Sequence, residues 1–350
     1  MSNIFAVTGV QLSRELLAER VAVDAIPVVD LEPFLSGSAE QRLEIARSIG
    51  GACRHIGFFA IVNHRIPDQI VSRVFELAAA FFALPADEKA EIAIERSTCH
   101  RGWFSVGGEN LDPAKQTYAG DFKEGIKIGQ DLPANHILVR AGTPLHGPNQ
   151  WPSRPADFVP AYREYYGLMT GLARSLMGAF ALALSLPEDH FAEFLTCPMA
   201  TVGPLHYPPQ AGTITESRLG AGAHTDFGAL TILAQDANGG LQVRNADGRW
   251  IDVPPITGAF VVNVGDMMAR WTNGLFASTV HRVINVSGRD RYSIPFFFDP
   301  DHDAPVAALA TCTSADNPPR FAPTTSMEHL MEMIDASFAY RAEFAYRTTT

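Results

Sequence analysis

The sequence predicts an α+β protein in which helices surround a β core built from two sheets. Two observations support this prediction. Residues 39–187 include three long segments whose apolar residues recur at helical spacing, whereas residues 200–300 contain short β-like segments separated by turns. Many short strands at this spacing are typical of a sandwich or a barrel. Since the chain shows no internal repeat and no low-complexity linker, we expect one compact unit.

The first half of the chain supplies most of the predicted helices. Residues 25–35 predict a short strand that runs into a turn, and residues 58–64 predict a second strand. Helical spacing predicts helices over 39–57, 67–85 and 160–187. Asp68 lies near the start of the second helix, and Pro85 ends it. Residues 96–160 are rich in glycine, proline and polar residues, which favours loops with short strands.

The second half supplies the predicted strands. Ala246-Asp247-Gly248 lies between two strand patterns and predicts a hairpin. Residues 220–236 have the pattern of a buried strand, and residues 263–274 predict a turn followed by a strand. Residues 326–347 predict a C-terminal helix. Together these segments would form the two sheets and one helix packed on them.

Composition excludes several classes of partner. The 350 residues carry a net charge of −11 without a run of lysine or arginine, which argues against nucleic acid. Residues 1–25 contain several charges, and no uncharged apolar segment reaches membrane-spanning length. The four cysteines (Cys53, Cys99, Cys197, Cys312) form no Cys-x-x-Cys and indicate free thiols. We therefore expect a soluble cytoplasmic protein with no membrane partner.

The segment "AHTDFG" places a histidine and a carboxylate where a metal site would need them. Residues i and i+2 of a strand point to the same face, so His224 and Asp226 would project together beside apolar residues. A buried carboxylate beside a buried imidazole requires compensation. A metal ion and a hydrogen-bonded ion pair are the two alternatives, and the pair alone does not decide between them.

A third ligand would have to come from another strand. Two histidines and one carboxylate are the minimum for a facial iron site with open coordination positions. His281 lies on a clear strand pattern, "STVHRVINV". His206 is nearer in sequence, but alternation along the strand points its side chain to the face opposite that of Tyr207. His281 is therefore the best candidate.

Downstream of His281, "RYSIPFFF" places an arginine on a strand that is otherwise apolar. Arg291 and Ser293 share one strand face. A buried guanidinium needs an anionic partner, and it binds a carboxylate through two parallel hydrogen bonds. A ligand carboxylate is the simplest partner; an ion pair with a distant Asp or Glu is the alternative.

These motifs together resemble the non-haem iron(II), 2-oxoglutarate-dependent dioxygenases of the isopenicillin N synthase-like family. "IPVVDL", "IGFFAIVNHRIP" and "FFALPADEK" are similar to its N-terminal region, and the segments from "LHYPP" to "RYSIPFFFDP" are similar to its catalytic core, in particular to thymine hydroxylase-type members. The resemblance implies a double-stranded β-helix (jelly-roll) core flanked by helices. It divides the chain into a helix-rich region (1–195), the jelly-roll core (196–305) and a C-terminal helical segment (306–350).

The resemblance also implies site residues and cofactors. It implies that His224, Asp226 and His281 bind Fe(II), and that Arg291 and Ser293, with Tyr207 nearby, bind the distal carboxylate of 2-oxoglutarate. The implied activity hydroxylates or desaturates a small-molecule substrate with O2, releasing succinate and CO2. Two alternatives are an iron-dependent oxidase that does not use 2-oxoglutarate and a non-catalytic ligand-binding protein.

Phe227, Phe297 and Glu124 are candidates for contact with the substrate, with Lys123 as an alternative to Glu124. Phe227 follows the carboxylate ligand and Phe297 follows Ser293, so either ring could stack on a flat substrate or belong to the core. The resemblance places "GDFKEGIKIG" at the pocket mouth, where Lys123 or Glu124 would meet a polar group, unless this stretch is a solvated strand edge. Oligomeric state and substrate identity are not predicted.

Overall fold

The computed structural model describes residues 10–13, 16, 26–116 and 120–341. The α-helices of these residues are α1 (Glu32–Ser36), α2 (Ala39–His55), α3 (Asp68–Phe82), α4 (Ala86–Lys89), α5 (Ile137–Arg140), α6 (Phe158–Ala183), α7 (Asp266–Trp271) and α8 (Ser326–Ser337). The strands are β1 (Val10–Leu12), β2 (Val28–Asp30), β3 (Phe58–Val62), β4 (Gly102–Phe104), β5 (Glu124–Gly129), β6 (Thr201–Val202), β7 (Leu205–Tyr207), β8 (Gly212–Ile214), β9 (Ala221–His224), β10 (Leu230–Gln235), β11 (Leu241–Arg244), β12 (Trp250–Val253), β13 (Phe260–Val264), β14 (His281–Val283), β15 (Arg291–Phe298), β16 (Pro305–Val306) and β17 (Thr324–Thr325).

Two sheets form the core of the molecule. The larger sheet has the strand order β2-β3-β13-β10-β15-β6-β5-β4, with β7 paired to both β15 and β5. The smaller sheet has the order β12-β11-β14-β9. One apolar cluster contains side chains from both sheets, such as Phe58 and Val261 from the larger and Val243 and Val283 from the smaller. The two sheets therefore face each other, which confirms the predicted α+β architecture.

Helices cover the other face of the larger sheet. The long helix α6 packs against α2, α3 and β15. Helix α2 begins with a capping box, in which Ser38 Oγ accepts from the Gln41 backbone N–H and Gln41 Oε1 accepts from the Ser38 backbone N–H. Its buried face includes Ala46, Ile49 and Cys53. The other face of the sheet borders a cavity, whose lining residues come from both sheets.

The helices predicted over 39–57, 67–85 and 160–187 are confirmed as α2, α3 and α6. The hairpin is confirmed by the antiparallel pairing of β11 with β12. Helix α8 covers the first part of the predicted helix 326–347, of which residues 342–347 lie outside the described residues. In the described part of the chain, no single helix is both long enough and apolar enough to span a membrane. One bent pair of helices, α3 with residues 86–92, has the required length and composition when its two parts are taken together.

Two predicted strands are wrong. Residues 263–274 contain the end of β13 and then helix α7, in which Met267, Met268 and Trp271 are buried at helical spacing. The stretch 220–236 is two strands in different sheets, β9 and β10, because residues 225–229 form a turn. At this turn a Cβ on Gly228 would collide with the Asp299 carboxylate, so a larger residue would displace the side chain that accepts the Ala229 backbone N–H.

Candidate metal centre and its cavity

Three candidate ligands meet at the end of the smaller sheet. Strands β9 and β14 are antiparallel neighbours, and their register places His281 directly opposite His224. Asp226 follows β9 in the turn, with its Oδ1 at 3.8 Å from His224 Nε2 and 3.6 Å from His281 Nε2. One ligand atom from each residue lies within 4.8 Å of the others. The structure thus brings together the three residues that the sequence suggested.

Hydrogen bonds orient both imidazoles so that Nε2 points into this cluster. His224 Nδ1 lies 2.7 Å from the Gly222 carbonyl oxygen, and His281 Nδ1 lies 3.1 Å from the Thr279 carbonyl oxygen. A carbonyl only accepts, so each Nδ1 carries the proton and each Nε2 is left with a free electron pair. This is the arrangement in which histidine binds a metal.

The carboxylate is oriented in the same way. Asp226 Oδ2 accepts hydrogen bonds from Thr231 Oγ1 and Asn263 Nδ2, both at 2.6 Å, which leaves Oδ1 for the cluster. The two Nε2 atoms and Oδ1 all carry electron pairs and no proton, so in a buried site they would repel one another unless a cation lay between them. The donor set, two imidazoles and one carboxylate, fits an iron(II) ion with open positions.

The electrostatics favour the protonation states that ligands require. Burial, reinforced by the neighbouring His281, holds the pKa of His224 well below its usual range. Burial alone would raise the pKa of Asp226, but His281, His224 and the hydrogen bonds from Asn263 and Thr231 outweigh it and lower the pKa. A neutral imidazole and an ionised carboxylate are the forms that bind metals.

A guanidinium with one free nitrogen lies at another part of the same cavity. Arg291 is 1% exposed and faces Tyr207 across the β15–β7 register, with its Cζ 4.6 Å from the centre of the Tyr207 ring. Its Nε donates to the Gly239 carbonyl and its Nη2 donates weakly to Gln235 Oε1 at 3.4 Å. Its Nη1 is buried without a hydrogen-bond partner. Among the described residues no carboxylate pairs with Arg291, so the ion-pair alternative has no partner there.

The cavity between the sheets has a volume of about 160 Å³. Its lining includes the three candidate ligands, the Arg291–Ser293–Tyr207 group and several phenyl rings. Both Phe227 and Phe297 are among those rings, in positions where a flat molecule would contact them. The walls are mostly apolar with a few polar groups, as ligand sites usually are.

The structure does not bring Glu124 to this cavity. Its Oε2 accepts from Lys89 Nζ at 2.7 Å and from Trp103 Nε1 at 2.8 Å, and its Oε1 lies 2.8 Å from His206 Nδ1. The side chain is 6% exposed, so the solvated strand edge does not describe it either. Alternation along β5 instead directs the neighbouring Lys123 into the cavity.

Sequence reasoning missed a buried charge network beside the candidate ligands. Lys123 Nζ contacts Asp121 and lies 2.9 Å from Glu109 Oε2, while Lys127 Nζ lies 3.3 Å from Glu109 Oε1. Burial would raise the pKa of Glu109, but the two ammonium groups outweigh it and hold the pKa well below its usual range. The four-residue spacing of Lys123 and Lys127 on a strand was the available signal, since it places both on one face.

Two family models match the chain. One, described as the 2OG-Fe(II) oxygenase superfamily, matches residues 199–300. The other, described as the N-terminal region of non-haem dioxygenase in morphine synthesis, matches residues 26–154. The first range contains the three candidate ligands and the Arg291–Ser293–Tyr207 group.

Relatives and solved structures agree with these matches. The chain is 37% identical over 334 residues to the 2-oxoglutarate-Fe(II) type oxidoreductase hxnY of Emericella nidulans, covering 93% of this chain and 95% of the relative. It is 35% identical over 299 residues to homoarginine-6-hydroxylase 2-ODD-C23.2 of Arabidopsis thaliana, covering 81% and 80%. The crystal structure of a full-length Neurospora crassa protein in complex with alpha-KG and thymine has a TM-score of 0.78 and 30% identity, covering 89% of this chain and 96% of that chain.

Proposed function

The chain belongs to the 2OG-Fe(II) oxygenase superfamily, and from that premise we propose that His224, Asp226 and His281 hold its iron. It is a 2-oxoglutarate-dependent dioxygenase with a jelly-roll core, and it uses Fe(II), 2-oxoglutarate and O2. The observation that carries the ligand assignment is the convergence of two Nε2 atoms and one Oδ1. The other polar atom of each side chain, Nδ1 or Oδ2, is hydrogen-bonded elsewhere.

We propose that Arg291, Ser293 and Tyr207 bind the distal carboxylate of 2-oxoglutarate. Arg291 Nη1 is the one nitrogen of this guanidinium without a partner, and a carboxylate oxygen would satisfy it. Ser293 lies two residues along the same strand, and its hydroxyl is a further donor. Tyr207 contacts the guanidinium face and fixes its plane.

The bound iron and 2-oxoglutarate supply the oxidising chemistry, in which oxidative decarboxylation yields succinate and CO2 as the substrate is oxidised. The protein's own residues do the rest. The carbonyls of Gly222 and Thr279 fix the imidazole tautomers, and Thr231 and Asn263 fix the carboxylate. The apolar walls exclude water from the reacting groups.

We propose that the substrate is a small molecule, as homoarginine is for the Arabidopsis thaliana homoarginine-6-hydroxylase and as thymine is in the complex of the Neurospora crassa protein. We propose that it is hydroxylated or desaturated in the cavity, in contact with Phe227 and Phe297. The cavity of about 160 Å³ supports a substrate smaller than a drug-sized ligand, for which pockets span roughly 300–1,000 Å³. The unpaired state of Cys53, Cys99, Cys197 and Cys312 supports a reducing, cytoplasmic location.

Replacing one ligand tests the iron assignment. We expect His281→Ala to abolish iron-dependent succinate release and to weaken iron binding severely, because three ligands are the minimum for this site. Anaerobic Fe(II) titration and succinate release measure the two effects, with His55→Ala as the matched control, since His55 is exposed at the end of α2. Normal iron affinity and succinate release in His281→Ala would exclude His281 as a ligand.

A further inference from the structure

Lys127 keeps hydrogen-bonding capacity that no described side chain uses. An ammonium group has three N–H donors. The charged partner of Lys127 is Glu109, whose Oε1 lies at 3.3 Å, and Glu109 is shared because its Oε2 lies 2.9 Å from Lys123. The Lys127 side chain is 13% exposed and lines the cavity. Since the described residues offer it no second acceptor, the remaining donors are available to a ligand in the cavity.

Aromatic rings surround this ammonium group. Lys127 Nζ lies 5.6 Å from the ring centre of Phe104, 5.3 Å from that of Phe297 and 5.7 Å from that of Phe338. These distances are close to the outer limit of about 6 Å for a cation–π contact, so the rings hold the charge without satisfying its donors. Phe297 and Phe338 also line the cavity, where their faces offer contact to a flat ring.

A chain of contacts links this lysine cluster to a candidate iron ligand. Lys123 Nζ contacts Asp121, and Asp121 Oδ1 accepts the backbone N–H of Gly222 at 3.0 Å. The carbonyl of the same Gly222 accepts from His224 Nδ1 at 2.7 Å. A group bound at Lys127 is therefore connected, through Glu109, Lys123 and Asp121, to the backbone that orients His224. A substrate anchor needs such a fixed relation to the reacting centre.

We propose that Lys127 anchors the substrate through an anionic oxygen, a carboxylate or a phenolate, on a small flat ring that packs against Phe297. The proposal rests on the proposed function, because it takes this cavity as the substrate site. A carboxylate would add to Lys127 without breaking any existing pair. A cationic group would have to displace a lysine from Glu109, both of whose oxygens are occupied.

The rings beside Lys127 narrow the class further. Phe297 and Phe338 line the cavity next to the ammonium group, which supports a flat ring as the body of the substrate. Homoarginine is a cationic amino acid and thymine is a neutral base, so membership of the family does not fix the substrate's charge, and residues of this chain's own cavity have to select it.

The test uses single-ring probes that differ in charge. Benzoate, 4-hydroxybenzoate, phenylacetate, benzamide and benzylamine are titrated calorimetrically into protein loaded with Fe(II) and saturating 2-oxoglutarate under argon. Saturation with 2-oxoglutarate keeps the carboxylates away from Arg291. We expect at least one carboxylate to bind about tenfold more tightly than benzamide, since its negative charge adds an attraction to the ammonium that the neutral amide lacks.

Variants of Lys127 test whether this residue causes the preference for carboxylates over benzamide. Lys127→Met should weaken carboxylate binding about ten- to a hundredfold and benzamide binding much less, whereas Lys127→Arg should keep most of the affinity. Lys115→Met is the matched control, because Lys115 is exposed and pairs with Glu216. Melting temperatures verify that each variant folds, and the rescue by arginine separates a charge effect from a packing effect.

The outcomes separate this proposal from the proposed function. If 2-oxoglutarate fails to bind iron-loaded wild type, the proposed function is wrong, and the anchor role falls with it. If 2-oxoglutarate binds normally but no carboxylate is preferred over benzamide, or Lys127→Met retains the preference, only the anchor role is wrong. Loss of the preference in Lys127→Met with recovery in Lys127→Arg supports it.

Discussion

Strand β5 and the residue before it carry buried charges on both faces, and the two faces differ in how completely those charges are satisfied. On one face Glu124 accepts hydrogen bonds from Lys89, Trp103 and His206. On the other face Lys127 Nζ lies 3.3 Å from the carboxylate of Glu109, and the rest of the ammonium group faces the cavity. Both faces are buried and charged, so neither burial nor charge alone identifies the functional one.

The two faces differ in free hydrogen-bonding capacity, and on the cavity side that capacity coincides with a space that a ligand can enter. The Glu124 cluster is closed, since both nitrogens of His206 are also bonded, one to Glu124 and the other to Asp290. The cavity, in contrast, contains a guanidinium nitrogen of Arg291 without a partner. A saturated network stabilises the fold, whereas an unsaturated one binds something that arrives from outside.

The largest effect on stability should come from breaking the closed cluster. We expect Glu124→Ala to lower the free energy of unfolding by about 3–5 kcal/mol, because it leaves the buried Lys89 ammonium without its carboxylate. The affinity for 2-oxoglutarate should not change, since Glu124 does not line the cavity. Urea unfolding and calorimetric titration of 2-oxoglutarate measure the two quantities.

Glu88→Ala is the control for that experiment. Glu88 pairs with Arg154 at the surface, where an ion pair contributes about 0–1 kcal/mol. If Glu124→Ala costs no more than Glu88→Ala, or if it weakens 2-oxoglutarate binding, the two faces of β5 do not differ as described.

The next largest effect should come from Arg291, on the cavity side, where one guanidinium nitrogen has no partner. Arg291→Lys should raise the dissociation constant of 2-oxoglutarate about ten- to a hundredfold, because lysine keeps the charge but has no nitrogen in the place of Nη1, and a hydrogen bond to a charged group is worth about 1.5–3 kcal/mol. The free energy of unfolding should change less than in Glu124→Ala. Titration of 2-oxoglutarate at saturating Fe(II), alongside urea unfolding, separates these effects.

Arg42→Lys removes a similar fork elsewhere, since Arg42 binds Glu188 through two nitrogens far from the cavity lining. This control should leave the 2-oxoglutarate constant at its wild-type value. An unchanged constant in Arg291→Lys as well would remove Arg291 from the cosubstrate site, and a large loss of stability alone would make its role structural.

The candidate ligands were predictable because their pattern is local. His224 and Asp226 are two residues apart, as are Arg291 and Ser293, so the members of each pair lie close together in the chain. Arg291 and Ser293 share a strand face, whereas Asp226 lies in the turn that follows β9. The arrival of His281 opposite His224 depends on strand pairing, which the residues alone left open and the family resemblance supplied. A site assembled from such short-range pairs can therefore be found before the fold is known.

The inner face of β5 was not predictable in the same way. Charges at Lys123, Glu124 and Lys127 fall on both faces of the strand, so alternation does not reveal which face is enclosed by the second sheet. Glu109 lies in a loop without periodicity, and its partners are set by tertiary contacts. Helix α7 was missed for a related reason, because a six-residue helix is too short to show its period.

The closed cluster should also depend on pH, in a direction that its contacts fix. Burial disfavours the charge on His206, but the hydrogen bonds with Glu124 and Asp290 outweigh burial and raise its pKa. A group whose pKa is higher in the folded state stabilises the protein fully below its unfolded pKa, which is about 6.5 for histidine. That stabilisation is lost as the pH rises through the higher folded value.

His206→Gln should therefore destabilise the protein more at pH 6 than at pH 8. Glutamine has an amide donor for one carboxylate but no titrating charge, so the difference from wild type should shrink as wild-type His206 loses its proton. The effect is the smallest of those considered, because Asp290 is half exposed and water screens that pair. Urea unfolding at both pH values measures it, with His55→Gln as an exposed control. A difference that is equal at both pH values would show that folding does not raise the pKa of His206. A neutral imidazole has one N–H for two carboxylates, so the cluster on this face of β5 would then lack a donor and would not be closed.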